Sequence, residues 1–319
     1  MLLDIKQLSV SFQTFQGSVH VLDRVSLSVD RGEILAIVGE SGSGKSVTAL
    51  SILGLLDKNA KIEQGNIVFD GTDLTKLSTK EIQKYRGKRI GMVFQEPMTA
   101  LHPTMRIGDQ LTNVIKRHHK LTKKESHPIM LEMLKDVHFE EPELIAQKYP
   151  HELSGGMRQR IVIALAMSAP PELLIADEPT TALDVTIQAE ILTLMKELTQ
   201  KYNIAVILIT HDLGVVREVS DNVCVMYAGK ILEKGTTKEI LDNPKHPYTN
   251  LLLRALPDQV NPGERLQEIE GEVPDLKQHL PGCIFSSRCP LSKDECFIKA
   301  PPQLSLSETQ MVHCWEVSR

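Results

Sequence analysis

The sequence is poor in aromatic residues, has no long apolar run and carries no excess of positive charge. Aromatic residues make up 4% of the 319, although 41% of the chain is hydrophobic and can form a sizeable core. The longest apolar runs, such as residues 204–209, are far too short to span a bilayer. The net charge of -5, from 36 basic and 41 acidic residues, disfavours a general nucleic-acid-binding surface. We therefore expect no nucleic-acid partner.

We expect no signal peptide at the start of this sequence. The first residues, from Met1 to Lys6, lack the basic region and apolar core of a signal peptide. We therefore expect a soluble, cytosolic chain, which would act at a membrane only peripherally.

Cysteine is scarce but clustered. Four of the five cysteines, Cys283, Cys289, Cys296 and Cys314, lie in the last 40 residues with the spacing C-x5-C-x6-C-x17-C. In a reducing compartment this clustering favours a metal centre over disulfides. Soft thiolates suit an iron–sulfur cluster or Zn²⁺. Because no close C-x-x-C pair is present, unrelated cysteines in a loop-rich tail remain an alternative.

The hydrophobic pattern of the first third predicts strands followed by a helix. Alternation of apolar and polar residues over 2–12 and 18–29 is typical of antiparallel strands. The apolar run at 34–38 predicts a buried strand that opens into a loop. A helix is expected from Lys45 to about Leu55.

The remainder of the chain alternates between helix and strand. Residues 107–150 have a helical period and predict an inserted helical subdomain. Apolar runs at 173–176 and 204–209 predict buried strands, with a helix from about Thr186 to Lys201 between them. This alternation favours an α/β fold with a parallel sheet. Proline-rich sequence marks a boundary near 245.

A phosphate loop follows the predicted strand at 34–38. Residues 39–46 fit the pattern G-x-x-x-x-G-K-[ST]. Backbone N–H groups would wrap the β-phosphate, Lys45 would bridge the β- and γ-phosphates, and the Ser46 hydroxyl would ligate Mg²⁺. The alternative, a glycine-rich turn before a helix, is disfavoured by the preceding strand. The predicted nucleotide-binding residues are Gly39, Glu40, Ser41, Gly42, Ser43, Gly44, Lys45 and Ser46.

Two carboxylates end the predicted strand at 173–176. Asp177 suits Mg²⁺, because hard cations prefer oxygen ligands. The side chain of Glu178 would point the other way in a strand, toward an attacking water, as general base or water-orienting group. Alone, this would more often be a solvated strand end; the phosphate loop favours the functional interpretation.

A second loop with phosphate-binding chemistry lies at residues 153–157. Ser154, Gly155 and Gly156 stand at a predicted helix start and would expose backbone N–H groups. One nucleotide would then have two phosphate-binding loops. Both loops can bind the same nucleotide only if they come from different copies of the chain or from different partners.

Together these residues resemble the ATP-binding subunits of ABC (ATP-binding cassette) transporters. The resemblance covers roughly residues 1–240 and implies a P-loop NTPase (RecA-like) core, an antiparallel β subdomain and an α-helical subdomain at about 96–155. Residues 1–245 would form the nucleotide-binding domain, with ATP and Mg²⁺ as cofactors. The motifs, in family order, are Walker A (39–46), the Q-loop (Gln95), the signature (153–157), Walker B (173–178), the D-loop (Ala182, Leu183 and Asp184) and the switch histidine (His211).

The resemblance also implies roles for individual residues. Two cassettes would pair head to tail, so that the signature loop of one reaches the ATP held by the other. Asp184 of the D-loop would also bind the nucleotide. Gln95 would sense Mg²⁺ and the attacking water, and His211 would hold the γ-phosphate and hydrogen-bond to Glu178. Phe12 or Phe15 would stack on adenine, although either could equally be core.

Finer patterns resemble the importers of oligopeptides, dipeptides and nickel. They lie at 94–103, 151–160, 177–186 and 243–249. The resemblance implies a cassette that powers peptide import, with nickel or nickel complexes as the alternative cargo. Its partners would be a second cassette (a paralogue), two permease subunits and, indirectly, an extracytoplasmic binding protein, with the chain at the cytoplasmic face of the membrane.

The same resemblance distinguishes this chain from two other classes of ABC protein. A soluble ABC ATPase would carry two cassettes or long coiled-coil inserts, and exporter cassettes are often fused to membrane spans. The sequence shows none of these features, so both alternatives are disfavoured.

Residues 246–319 resemble the C-terminal extension of peptide-importer cassettes, some of which hold a [4Fe–4S] cluster on four cysteines. Such a cluster is the expectation here, with structural Zn²⁺ as the alternative and His279 or His313 as spare ligands.

Overall fold

A computed structural model describes residues 1–15, 17–181, 183–255, 269–277 and 280–317. The strands are β1 (Leu3–Thr14), β2 (Gly17–Val29), β3 (Ile34–Val38), β4 (Ala60–Phe69), β5 (Thr72–Asp73), β6 (Ile90–Val93), β7 (Leu173–Asp177), β8 (Ala205–Thr210), β9 (Asn222–Tyr227), β10 (Lys230–Thr236), β11 (Gln303–Ser305) and β12 (Met311–His313). The α-helices are α1 (Lys45–Leu53), α2 (Thr79–Ile82), α3 (Pro97–Ala100), α4 (Ile107–His119), α5 (Lys123–Asp136), α6 (Pro142–Gln147), α7 (Gly155–Met167), α8 (Val185–Tyr202), α9 (Leu213–Val219), α10 (Thr237–Asp242), α11 (Pro247–Arg254) and α12 (Asp294–Ile298). Two 3-10 helices are Leu74–Lys76 and Pro150–Glu152.

The chain divides into two units. The first contains Met1–Val29, Leu35–Lys76 and Thr210–Arg319, and the second contains Asp30–Ile34 and Leu77–Ile209, apart from residues outside the described ranges.

The first unit holds an antiparallel sheet in the strand order β2-β1-β4-β5. In the same unit, β3 pairs in parallel with β9. Every residue of β3 is buried, as expected for a parallel strand covered on both faces. The helix α1 follows and ends at Leu53 rather than Leu55. Its end is set by Gly54, which has a φ of 59° and whose N–H closes on the carbonyls of Leu50 and Ser51.

The C-terminal extension adds strands to the first unit. β12 pairs antiparallel with β10, where Val312 lies opposite Glu233, and β11 pairs with β12. Phe285 is fully buried. Its ring packs edge-on to Tyr227 with 5.1 Å between centroids, and lies 5.2 Å from the ring of Tyr248. The extension thus buries Phe285 against Tyr227 of the cassette as well as against its own Tyr248.

The second unit holds the parallel strands β6, β7 and β8. All residues of β7 and β8 are buried. Between β6 and α7 lie the helices α3 to α6. Ile107, Leu111 and Ile115 form an apolar stripe on α4 and are fully buried. The predicted α/β architecture with helices inserted between strands is confirmed. The boundaries at 96–155 and near 245 remain predictions.

Among the residues that the structure describes, no helix is both long enough and apolar enough to cross a membrane.

Candidate nucleotide site

The phosphate loop connects β3 to α1 in the first unit. Gly39, Gly42 and Gly44 have φ values of 152°, 76° and 99°, which L-residues with a side chain rarely adopt. A Cβ on Gly39 would lie 2.0 Å from the carbonyl oxygen of Met226, and one on Gly44 would lie 2.6 Å from a methyl of Leu22. These two glycines are therefore required for packing as well as for backbone conformation.

Lys45 is folded into the loop that it follows. Its Nζ donates to the carbonyl oxygens of Gly39 at 2.8 Å and Glu40 at 2.9 Å, and to the Ser43 hydroxyl at 3.4 Å. Lys45 is only 6% exposed. Its charge thus lies at the centre of the loop, where it would attract an anionic phosphate. Ser41, Gly42 and Ser46 are exposed on the loop.

The acidic strand end lies in the second unit. Asp177 is the last residue of β7 and is buried. Glu178 lies beyond the strand, with a φ of 46° and its N–H donating to the carbonyl of Ile209 at 2.9 Å. The reason predicted for its direction was therefore wrong: strand alternation does not orient Glu178, because its left-handed backbone turns the chain out of the sheet.

The structure brings two of the predicted catalytic side chains together. Gln95 Nε2 donates to Glu178 Oε2 at 2.8 Å, and the Thr181 hydroxyl donates to the same oxygen at 2.9 Å. Glu178 is half-buried and Gln95 is exposed, so a water molecule can approach the carboxylate. Thr181 was missed from the sequence. The signal available was its hydroxyl three residues after the carboxylate, within reach of a tight turn.

The signature loop opens α7 in the second unit. Ser154 is the N-cap, and its hydroxyl accepts a hydrogen bond from the N–H of Met157 at 3.3 Å. Ser154 and Gly155 are exposed, whereas Gly156 is buried. A Cβ on Gly156 would lie 2.6 Å from a methyl of Ile187. The loop thus presents a helix N-terminus with a serine at its edge, which is suited to an anion.

The remaining predicted residues lie at separate places. Asp184 caps α8, accepting a hydrogen bond from the N–H of Ile187 at 3.0 Å, while Ala182 lies outside the described residues. His211 is exposed directly after β8. Phe12 is half-buried on β1, and Phe15 is fully exposed in the following turn. Phe15 is therefore not a core residue.

The four clustered cysteines line one pocket of the first unit. Cys283 and Cys314 are buried, and Cys289 and Cys296 are half-buried. Burial raises the pKa of Cys283 to about 11 and also raises the pKa of Cys289 and of Cys314. Within the described ranges, no group of three or more His, Cys, Asp or Glu side chains is placed to hold a metal ion. His313 is half-buried on β12 and lines a neighbouring pocket that also contains Cys283, while His279 is outside the described residues.

Sequence profiles of two families match this chain. The profile described as ABC transporter matches residues 22–181. The profile described as Oligopeptide/dipeptide transporter, C-terminal region, matches residues 232–296. The second match includes three of the four clustered cysteines.

Similar proteins span nearly the whole chain. The chain is 51% identical over 314 residues to the dipeptide transport ATP-binding protein DppD of Bacillus subtilis (strain 168), covering 98% of this chain and 94% of that protein. It is 49% identical over 316 residues to the oligopeptide transport ATP-binding protein OppD of the same organism, covering 98% of this chain and 88% of that protein.

Solved structures agree with the fold. The structure of cbiO1 from Clostridium perfringens, part of the ABC transporter complex cbiONQ, aligns with a TM-score of 0.66 at 30% identity, covering 76% of this chain and 91% of its own. An ATP-binding cassette in a dimeric post-hydrolysis state, bound to ADP and Pi, aligns with a TM-score of 0.65 at 30% identity, covering 74% of this chain and 99% of its own. The predicted P-loop NTPase fold is confirmed, and the chain belongs to the ABC transporter family of ATP-binding proteins.

Proposed function

We propose that this chain hydrolyses ATP to drive the import of dipeptides or oligopeptides. The observation that carries the proposal is the identity of about half of all residues, along 98% of the chain, to ATP-binding proteins of dipeptide and oligopeptide transport. A cassette with the C-terminal region of that transporter group is a subunit that supplies energy, while other subunits select the cargo.

The phosphate loop would bind the ATP phosphates. Its backbone N–H groups would surround the β-phosphate. Lys45, which donates to loop carbonyls, would present its ammonium to the phosphate oxygens. By the family resemblance, the Ser46 hydroxyl, the Asp177 carboxylate and the Gln95 amide oxygen would ligate Mg²⁺, because hard cations prefer oxygen ligands. Held there, Mg²⁺ would supply positive charge that stabilises the transferring phosphoryl group.

Glu178 would accept the proton of the attacking water. Its carboxylate accepts hydrogen bonds from Gln95 and Thr181 at Oε2, and these bonds would hold it in a fixed orientation toward the water. A base held at a fixed angle loses less entropy when the water arrives. His211 would stabilise the γ-phosphate.

A second cassette would complete each ATP site. Ser154, Gly155 and Gly156 would contact the γ-phosphate of ATP bound to the partner, next to Asp184. A paralogue is the expected partner, together with two permease subunits and an extracytoplasmic binding protein, and the assembly places the chain at the cytoplasmic face of the membrane.

The test joins transport with hydrolysis. In a strain that lacks this gene, the parent chain should restore uptake of labelled dipeptides or oligopeptides, and Glu178→Gln should not. In the purified transporter, Glu178→Gln should lower ATP hydrolysis at least about 100-fold while retaining ATP binding. Glu197→Gln is the matched control, because Glu197 lies exposed on α8 and pairs with His138.

Two outcomes would contradict the proposal. Hydrolysis by Glu178→Gln at the parent rate would remove its assignment as the base. Restoration of nickel uptake without any peptide uptake would overturn the peptide cargo in favour of nickel or a nickel complex.

The four clustered cysteines are proposed to hold a [4Fe–4S] cluster. They line one pocket without forming a site for a single ion among the described residues. Four cysteine thiolates are the usual ligand set of a [4Fe–4S] cluster. Burial raises the pKa of Cys283, and a bound cation would favour its thiolate.

Colour and metal content test the cysteine proposal. Anaerobically purified protein should be brown and contain iron and sulfide, and Cys289→Ser should lose both. Cys224→Ser, in the buried strand β9, should keep them. A colourless protein that contains zinc, or no metal, would rule out the cluster.

A further inference from the structure

A side chain of the C-terminal extension reaches the phosphate loop. Arg288 Nη1 donates to Glu40 Oε2 at 2.8 Å, and the two side chains are 5% and 25% exposed. Glu40 is the second residue of the phosphate loop. The ion pair therefore joins residues that are 248 positions apart in the sequence and ties the extension directly to the loop that receives ATP.

Arg288 is held rigidly where it meets Glu40. Its Nε donates to the Glu270 carbonyl at 2.9 Å and its Nη2 to the Ile269 carbonyl at 2.8 Å. Its Nη1 also donates to the Tyr227 hydroxyl at 3.2 Å, and the guanidinium lies 5.7 Å from the centroid of that ring. A guanidinium fixed at all three nitrogens can position its partner, whereas a mobile surface lysine cannot.

Glu40 makes hydrogen bonds to other residues through both its backbone and its side chain. Its N–H donates to the Tyr248 hydroxyl at 3.0 Å, and its carbonyl accepts from Lys45 Nζ at 2.9 Å. Its Oε1 is buried without a hydrogen-bond partner among the described residues. A negative side chain here opposes the binding of phosphate, so its charge and direction bear on ATP affinity.

We propose that Arg288 is a positioning residue for ATP binding, which neutralises Glu40 and fixes the entry of the phosphate loop. We assign Arg288 no contact with ATP itself; it acts through Glu40. The inference rests on the ATP-binding function proposed above and extends it, because it makes the C-terminal extension a working part of the nucleotide site.

The test separates ATP affinity from turnover in the full-length chain. With MgATP as titrant, Arg288→Ala should raise Kd and the KM of hydrolysis about 10-fold, because one partner of a shielded ion pair is left unpaired. The kcat should change less than about 2-fold, since the groups assigned to the water remain. Arg217→Ala is the matched control, because Arg217 forms an exposed ion pair with Asp242 and should leave Kd and KM unchanged.

A double variant tests whether the effect passes through Glu40. Arg288→Ala combined with Glu40→Gln should bind ATP within about 3-fold of Glu40→Gln alone, because the unpaired charge is gone. If Arg288→Ala does not fold, Arg288→Gln removes the charge with less loss of volume and should show the same 10-fold change.

Each alternative result has one meaning. A parent-like Kd in folded Arg288→Ala or Arg288→Gln, with only a lower unfolding temperature, would overturn the proposal and leave Arg288 a structural residue. An equal loss with and without Glu40→Gln would also overturn it. A parent chain that binds no ATP would instead overturn the proposed function.

Discussion

The phosphate loop and the signature loop both place serine and glycine at the start of a helix, but they require glycine for different reasons. In the phosphate loop, Gly39 and Gly44 adopt positive φ values that a side chain would strain. In the signature loop, neither Gly155 nor Gly156 has a positive φ. There Gly156 is required because Ile187 packs against its α-carbon. In the phosphate loop, glycine is thus required for the backbone conformation. In the signature loop, glycine is required for close packing at a helix N-terminus.

The two loops also differ in the residues that contact and stabilise them. The phosphate loop surrounds its own lysine and is contacted by Arg288 and Tyr248. The signature loop presents an exposed Ser154, whose hydroxyl caps α7. A loop that carries its own cation can bind ATP alone, whereas an exposed helix N-terminus is suited to phosphate brought by another molecule.

The largest expected effects separate binding from hydrolysis. Lys45→Ala should reduce MgATP binding by the isolated chain at least about 100-fold, because it removes the cation within the loop. Ser154→Arg should leave that binding within about 2-fold, yet lower hydrolysis by the assembled transporter at least about 10-fold. Calorimetric titration and a phosphate-release assay measure the two quantities.

The signature variant needs a control for stability. Ser154→Arg also removes the N-cap of α7, which should cost about 1 kcal/mol. Ser154→Asp keeps a capping carboxylate but repels phosphate, so it should lose hydrolysis with no loss of unfolding temperature. If either signature variant weakened ATP binding by the isolated chain as much as Lys45→Ala, the contrast between the loops would fail.

The sequence predicted the features of the fold and of the site that depend on local residue patterns, and it missed those that depend on long-range contacts or on backbone conformation. Apolar runs predicted β3, β7 and β8 closely, because strands buried on both faces leave a continuous hydrophobic signal. The helix predicted to run from Thr186 to Lys201 spans Val185–Tyr202. The contact between Arg288 and Glu40 could not be predicted, because long-range side-chain pairs follow no period. The φ of Glu178 was missed because a carboxylate after an apolar strand has the same pattern whether or not the strand continues.

A smaller effect tests why the signature glycines are required. Gly156→Ala should lower the free energy of unfolding by about 1–3 kcal/mol, because its Cβ would meet the stiff β-branched Ile187. Gly155→Ala should change it by less than about 0.5 kcal/mol, since its Cβ would lie 3.4 Å from Leu183, an ordinary contact, and alanine favours the helix. Chemical denaturation gives both values. Equal costs for the two substitutions would contradict the packing role assigned to Gly156.

The smallest expected effect on stability concerns how the C-terminal extension, which carries Arg288, is attached to the cassette through Glu239. Burial opposes the charge of Glu239, but hydrogen bonds from the Thr236 N–H and from the hydroxyls of Thr309, Ser307 and Thr236 lower the pKa of Glu239 to about 2. Because the folded pKa lies below the unfolded value of 4.5, the contribution is complete above that pH and is lost as the pH falls toward about 2. Glu239→Gln should therefore cost about 1 kcal/mol near neutral pH, a figure reduced by solvent screening of the carboxylate. The difference from the parent in denaturation midpoint should narrow below the unfolded pKa, and a constant difference across that range would mean that the Glu239 charge does not secure the extension.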